Sequence, residues 1–105
     1  MKIDEIKMPA LTAEDIDRIS TAGQRAQVEA SRIIVRIIRE IAAHTGVSEA
    51  EIRSKSKLKK LVTLRRVAIY RAREMGLSFV QIGKALDLDH TTIIHHYQRE
   101  REARQ

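Results

Sequence analysis

The chain has no cysteine and no tryptophan, a single proline and only four glycines among its 105 residues. Each shortage excludes something. Without cysteine there is no disulfide framework and no zinc–thiolate site, so the fold rests on packing. With one proline, Pro9, and so few glycines, little interrupts a helix. Two tyrosines and one phenylalanine, none inside the basic run, argue against gripping single strands by base stacking. No stretch alternates apolar and polar residues convincingly, so no sheet is expected. No apolar run approaches the roughly 18 residues of a membrane span. The acidic start Met1-Lys2-Ile3-Asp4-Glu5 lacks the apolar core of a signal peptide. A cytoplasmic, nucleoid-associated protein with no membrane partner is the expectation.

Hydrophobic residues make up 43% of the chain and charged residues 32%, a composition of soluble globular proteins. The length suits one domain. The net charge of +6 is unevenly placed: residues 1–52 hold seven Lys/Arg against nine Asp/Glu, residues 53–105 thirteen against five. The halves therefore carry −2 and +8. Such asymmetry is the footprint of a polyanion partner.

Residues 1–11 have no period and read as a flexible arm. Thr12-Ala13-Glu14-Asp15 is a helix start, with Thr12 as N-cap. The pattern continues through Ile16, Ile19 and Ala22, and Gly23 weakens that helix without having to end it. Residues 12–30 form this N-terminal helical extension. Ile33, Ile34, Ile37, Ile38 and Ile41 then recur at three- and four-residue spacing, a buried helical stripe. Gly46 supplies a left-handed C-cap. Ser48-Glu49-Ala50-Glu51 reads as a capping box opening a short helix to about Ser54. The basic segment Lys55-Ser56-Lys57-Leu58-Lys59-Lys60 follows as a loop or helix lead-in. A longer helix is expected from about Val62 to Met75, offering Val67, Ala68, Tyr70, Ala72 and Met75 for burial, and stopped by Gly76.

Ser78 with Gln81 forms another capping box, starting a helix to Leu86, and Asp89 caps a last helix from His90 to about Arg101. The charged stretch Arg99–Gln105 is expected to fray, with 102–105 as a tail. These last two helices make a helix-turn-helix. Ile82 and Leu86 face inward, Gly83 permits close helix approach, Leu88 fills the turn and Ile93 anchors the second helix. That leaves His90, Thr91, Thr92 and His95 outward near the start of the second helix, where such motifs enter the major groove. Threonine offers a methyl and a hydroxyl, imidazole donates or accepts, and a carboxylate such as Asp89 accepts from cytosine N4.

Asp89-His90-Thr91-Thr92-Ile93, with Ile82-Gly83 before it and His95 after it, resembles the signature of the C-terminal DNA-binding domain of the bacterial replication initiator DnaA. The order of upstream elements is similar too, and the resemblance covers residues 31–101. It implies an all-α helical bundle of the Trp-repressor type, here with an extra N-terminal helix. It also implies reading of a short DNA box by the last helix in the major groove and by a basic loop in the adjacent minor groove. By resemblance, Asp89, His90 and Thr91 read bases, with His95 added from its exposed position, and Thr92 lies near the backbone. Lys55, Lys57, Lys59, Lys60, Arg65 and Arg66 are expected on phosphates, with Thr63 and Ser78 also on the backbone or minor-groove side. Three departures stand out. Thr63 occupies the place of the family's minor-groove arginine, so that contact is lost or passes to Lys60. The turn is about one residue shorter, and Leu88 stands where arginine is common.

No G-x-x-x-x-G-K-[ST] phosphate loop occurs, and the expectation is a stand-alone DNA-binding domain without ATPase activity. His90, His95 and His96 lack the spacing and the partners of a metal site. No nucleophile–histidine–acid set can be argued, so neither catalysis, nor a cofactor, nor a small-molecule substrate is expected. The partner expected is double-stranded DNA, at DnaA-box-like sites, in origin control or transcription regulation. The rivals are a small repressor with an unrelated operator and a protein-interaction module for a replication factor. The N-terminal helix either covers its own domain or pairs with a second copy as a homodimer.

Overall fold

The computed structural model describes residues 12–105, and of Ile16, Asp17, Ile19 and Ser20 only the backbone. The expected arm 1–11 and the packing of Ile16 and Ile19 lie outside what it describes. Among the described residues there are five helices and no strand: α1 (Ala13–Thr45), α2 (Glu49–Arg53), α3 (Lys59–Glu74), α4 (Phe79–Leu86) and α5 (His90–Ala103).

α1 is one unbroken helix of 33 residues, about 50 Å of axial rise. Its start is a full capping box, Thr12 Oγ1 accepting from Asp15 N while Asp15 accepts from Thr12 N. Gly23 is absorbed within it, and the boundary expected between residues 30 and 31 falls inside it. The helix ends at Gly46, whose φ of 75° is the left-handed cap expected of glycine. Its first half stands clear of the body, with residues 21–26 all exposed. Gln27 marks where the body begins, donating from Nε2 to the Gln81 carbonyl at 3.1 Å.

Beyond Gln27, α1 lays Ala30, Ile34, Ile37, Ile38 and Ile41 into the core, with Ile33 half-buried at its edge. α2, α3 and α4 pack against this stripe, and α5 closes the bundle against α3 and α4. Ile34, Ile38, Ile52, Ile69, Ile82 and Ile93 are the largest fully buried side chains, each contributing about 1.5–3 kcal/mol. The core thus uses isoleucine where many domains use aromatics. The three aromatic side chains gather instead at the far half of α5. Tyr70 stacks on Tyr97 at 5.5 Å, and Phe79 meets Tyr97 edge-on at 5.5 Å. Tyr97 also donates its hydroxyl to Glu74 at 2.9 Å.

Four expectations are corrected. Ser48 accepts from Glu51 N at 3.1 Å, but no return bond from the Glu51 side chain is formed, so this is half a box. α3 starts at Lys59 rather than Val62, because Leu58, at ψ 129°, is the last residue outside helical conformation. Met75 is exposed, standing at the C-cap just before Gly76 turns the chain at φ 97°. α5 does not fray at Arg101: it runs to Ala103, and Arg104 pairs with Glu100 at 3.0 Å and lies over the Tyr70 ring at 4.3 Å.

Candidate nucleic-acid interface

The motif is built from the close approach of α4 and α5. Gly83 is buried in α4, and a Cβ there would sit 2.6 Å from the Leu88 carbonyl oxygen. Only a hydrogen side chain lets the turn fold back this tightly. Leu88 N then donates to Gly83 O at 2.9 Å. The short turn has no glycine, and Asp87 takes the left-handed conformation at φ 55°. Aspartate tolerates that region better than most residues, because its short polar side chain can hydrogen-bond the nearby backbone. Ile82, Leu86 and Ile93 are buried and Leu88 half-buried, as expected from their places in the motif.

Asp89 caps α5, its Oδ1 accepting from Thr91 N at 2.8 Å and from the Thr91 hydroxyl. These bonds hold its carboxyl below the ordinary carboxylate value, and it stays ionised at the head of the helix. With Ile93 turned inward, Asp89, His90, Thr91, Thr92 and His95 are all exposed on the first turns. His90 Nδ1 lies 3.7 Å from Asp89 Oδ1. The structure therefore brings the five residues onto one short exposed surface, with Asp89 and Thr91 bound to each other.

The basic segment lies beside the same turn. Lys55 Nζ pairs with Asp87 Oδ2 at 3.2 Å, and Arg53 Nη2 donates to the Ala85 carbonyl at 3.2 Å. Lys55, Lys57, Lys59, Lys60 and Thr63 are exposed, the last three on the first turns of α3. Thr63 returns its hydroxyl to the Lys59 carbonyl at 2.8 Å. Ser78 is half-buried at the head of α4, its hydroxyl accepting from Gln81 N at 3.0 Å, and Arg66 is half-buried on α3.

Arg65 lies apart from the surface on which the sequence places it. It is 7% exposed, with Nε donating to Ile52 O at 2.7 Å and Nη2 to Ser56 O at 2.9 Å. Its guanidinium bonds two carbonyls on the inside of the basic loop and so holds that loop against α3. Burial also lowers its pKa from the ordinary arginine value. Sequence reasoning missed two further residues. Arg53 ties the loop to the motif, and Lys84, exposed on α4, joins Val80 and His90 around a shallow depression over the turn. A single arginine or lysine at a helix end carries no pattern by which either could have been found.

Comparison with known proteins follows the same residues. The family model described as the bacterial dnaA protein helix-turn-helix matches residues 34–99. The chain is 39% identical to the chromosomal replication initiator protein DnaA 1 of Chlamydia pneumoniae over 61 residues, 57% of the chain and 13% of that protein. It is 29% identical to the chromosomal replication initiator protein DnaA of Caldanaerobacter subterraneus subsp. tengcongensis over 99 residues, 90% of the chain and 22% of that protein. With the same initiator of Herpetosiphon aurantiacus, 37% identity extends over 65 residues, 60% of the chain and 14% of that protein. The chain thus spans less than a quarter of the length of these relatives. No solved structure matches.

Proposed function

The chain belongs to the bacterial DnaA helix-turn-helix family, a DNA-binding module, and from that premise we propose that it reads double-stranded DNA at DnaA-box-like sites. α5 enters the major groove and the segment Lys55–Lys60 follows the adjacent minor groove. One observation carries this reading: the exposed row His90, Thr91, Thr92 and His95 and the exposed lysines stand on neighbouring elements tied together by Arg53 and Lys55. Specificity is assigned to Asp89, His90, Thr91 and His95. Phosphate contacts are assigned to Lys55, Lys57, Lys59, Lys60 and Arg66, with Thr92, Thr63 and Ser78 alongside, while Arg65 shapes the loop from within. The part that reads DNA spans 31–101, and the role is occupation of such sites on the nucleoid, in origin control or transcription.

The test is fluorescence anisotropy with a duplex carrying a DnaA box and a scrambled duplex of the same length. The box is expected to bind more tightly, and Thr91→Ala to cost about 1–3 kcal/mol on the box and little on the scrambled duplex. Equal binding of both duplexes by the wild-type protein would move the target to an unrelated operator. No binding to either would favour a protein-interaction module.

A further inference from the structure

Leu58 is 67% exposed, the most open of the large apolar side chains among the described residues. A lone exposed leucine is ordinary on a protein surface. This one stands between Lys57 and Lys59 in the basic segment, as the N-cap of α3. Every other described helix opens on a side-chain oxygen that accepts a first-turn amide, from Thr12, Ser48, Ser78 or Asp89. Leucine makes no such bond and is among the poorest caps. Position 58 thus breaks the local rule for starting a helix, and such breaks gather where function sets the residue.

The loop holds this side chain out on a braced backbone. Leu58 N donates to Ser56 Oγ at 3.3 Å, and Leu58 O accepts from Val62 N at 3.0 Å. Arg65 Nη2 donates to the Ser56 carbonyl at 2.9 Å, which pins the loop from its inner side. Ser56 spends its hydroxyl on the Leu58 amide, and the four lysines of segment 55–60 suit phosphates. Phosphate contacts position a protein but carry no sequence information directly. Leu58 is the side chain left to touch base edges.

We propose that Leu58 enters the minor groove and discriminates A·T from G·C pairs at one step beside the bases that α5 reads. This rests on the DNA-binding reading above. The minor-groove edges of A·T and T·A pairs carry acceptors only, whereas a G·C pair adds the guanine 2-amino group. That group stands up from the groove floor. A leucine in van der Waals contact with the floor would strip water from its N–H and offer no acceptor in return. The acceptors of both kinds of pair lose water alike, so the amino group makes the difference. At A·T pairs the leucine closes onto the floor and buries apolar surface against the sugars. The braced backbone turns this difference of shape into one of affinity, because the side chain cannot draw back without deforming the loop.

A set of box duplexes tests this, each A·T pair of the box and its flanks being replaced in turn by G·C and by inosine·cytosine. Inosine lacks the 2-amino group, so its pair keeps the major-groove edge of G·C while its minor-groove edge carries acceptors only. With the wild-type protein, G·C at one or two adjacent positions is expected to weaken binding about tenfold, and inosine·cytosine there to restore it. Leu58→Ala is expected to bind the box about threefold or more weakly and to lose this contrast, with its urea melt unchanged. Thr91→Ala should keep the contrast. Either of two results overturns the minor-groove contact: inosine·cytosine as harmful as G·C at every position, or the full wild-type contrast persisting in Leu58→Ala. If the wild-type protein prefers the box yet shows no inosine rescue, this contact alone fails. If it binds no duplex, the DNA-binding reading fails as well.

Discussion

A guanidinium holding two backbone carbonyls is a different object from one facing solvent, and Arg65 is of the first kind. In a basic run every positive residue reads as a phosphate contact, because charge density is the signal the sequence offers. What sets Arg65 apart is the placement of the Ile52 and Ser56 carbonyls, 13 and 9 residues upstream, which depends on how the loop folds back. A charge-preserving substitution separates the two roles. Arg65→Lys should lower stability by about 1.5–3 kcal/mol in urea melts, since one ammonium cannot span both carbonyls and leaves one of them unpaired. A phosphate-binding Arg65 would predict the opposite pattern, with stability untouched and affinity largely kept. Asp89 is the contrasting case. Its place before a helical run announced an N-cap, and the cap formed, because a carboxylate two residues ahead of the amide it binds is a purely local arrangement.

The same division between local and distant causes governs the elements. Helix starts at Thr12, Ser78 and Asp89 and the stop at Gly46 were legible, since capping is decided within three or four residues. The persistence of α5 past Arg101 was not, because it depends on the Tyr70 ring of another helix. The turn between α4 and α5 combines both. Gly83 was expected to permit close approach, but the agent, the Leu88 carbonyl, is specified only once the short turn is built. Gly83→Ala should therefore cost about 1–3 kcal/mol in thermal or chemical melts, because the clash is with backbone that cannot swing away. The variant should also lose box preference, since relieving the clash pushes the head of α5 outward. A melt unchanged from wild type would show that the turn yields freely.

At the scale of the whole molecule, the excess of positive charge lies in residues 53–105, the half of the chain that carries the motif, while isoleucine packing holds the body together. Association with DNA should accordingly weaken steeply with salt. Replacing Lys59 and Lys60 together by alanine should reduce the magnitude of the slope of log affinity against log salt by about 1–2, and weaken box and scrambled duplexes alike. A slope that did not change would remove these two lysines from the phosphate contacts. All-helical architecture and the position of the motif were readable because they follow from periodicity and spacing. The boundary expected at residue 30 falls within α1, which runs through it without a break.

That continuity has a mechanical meaning. Because α1 passes from the projecting half into the core without a hinge, its two ends are geared together like points on one screw thread. A one-residue insertion near Gly23 would turn the projecting half about 100° around the axis and advance it about 1.5 Å, while leaving the DNA-reading body as it is. Seven added residues would lengthen the arm by about 10 Å and return it to nearly its original phase. Whatever meets the outer end of this helix is thus held at an angle set by residue count, and the heading of the arm is adjustable independently of the grip on DNA.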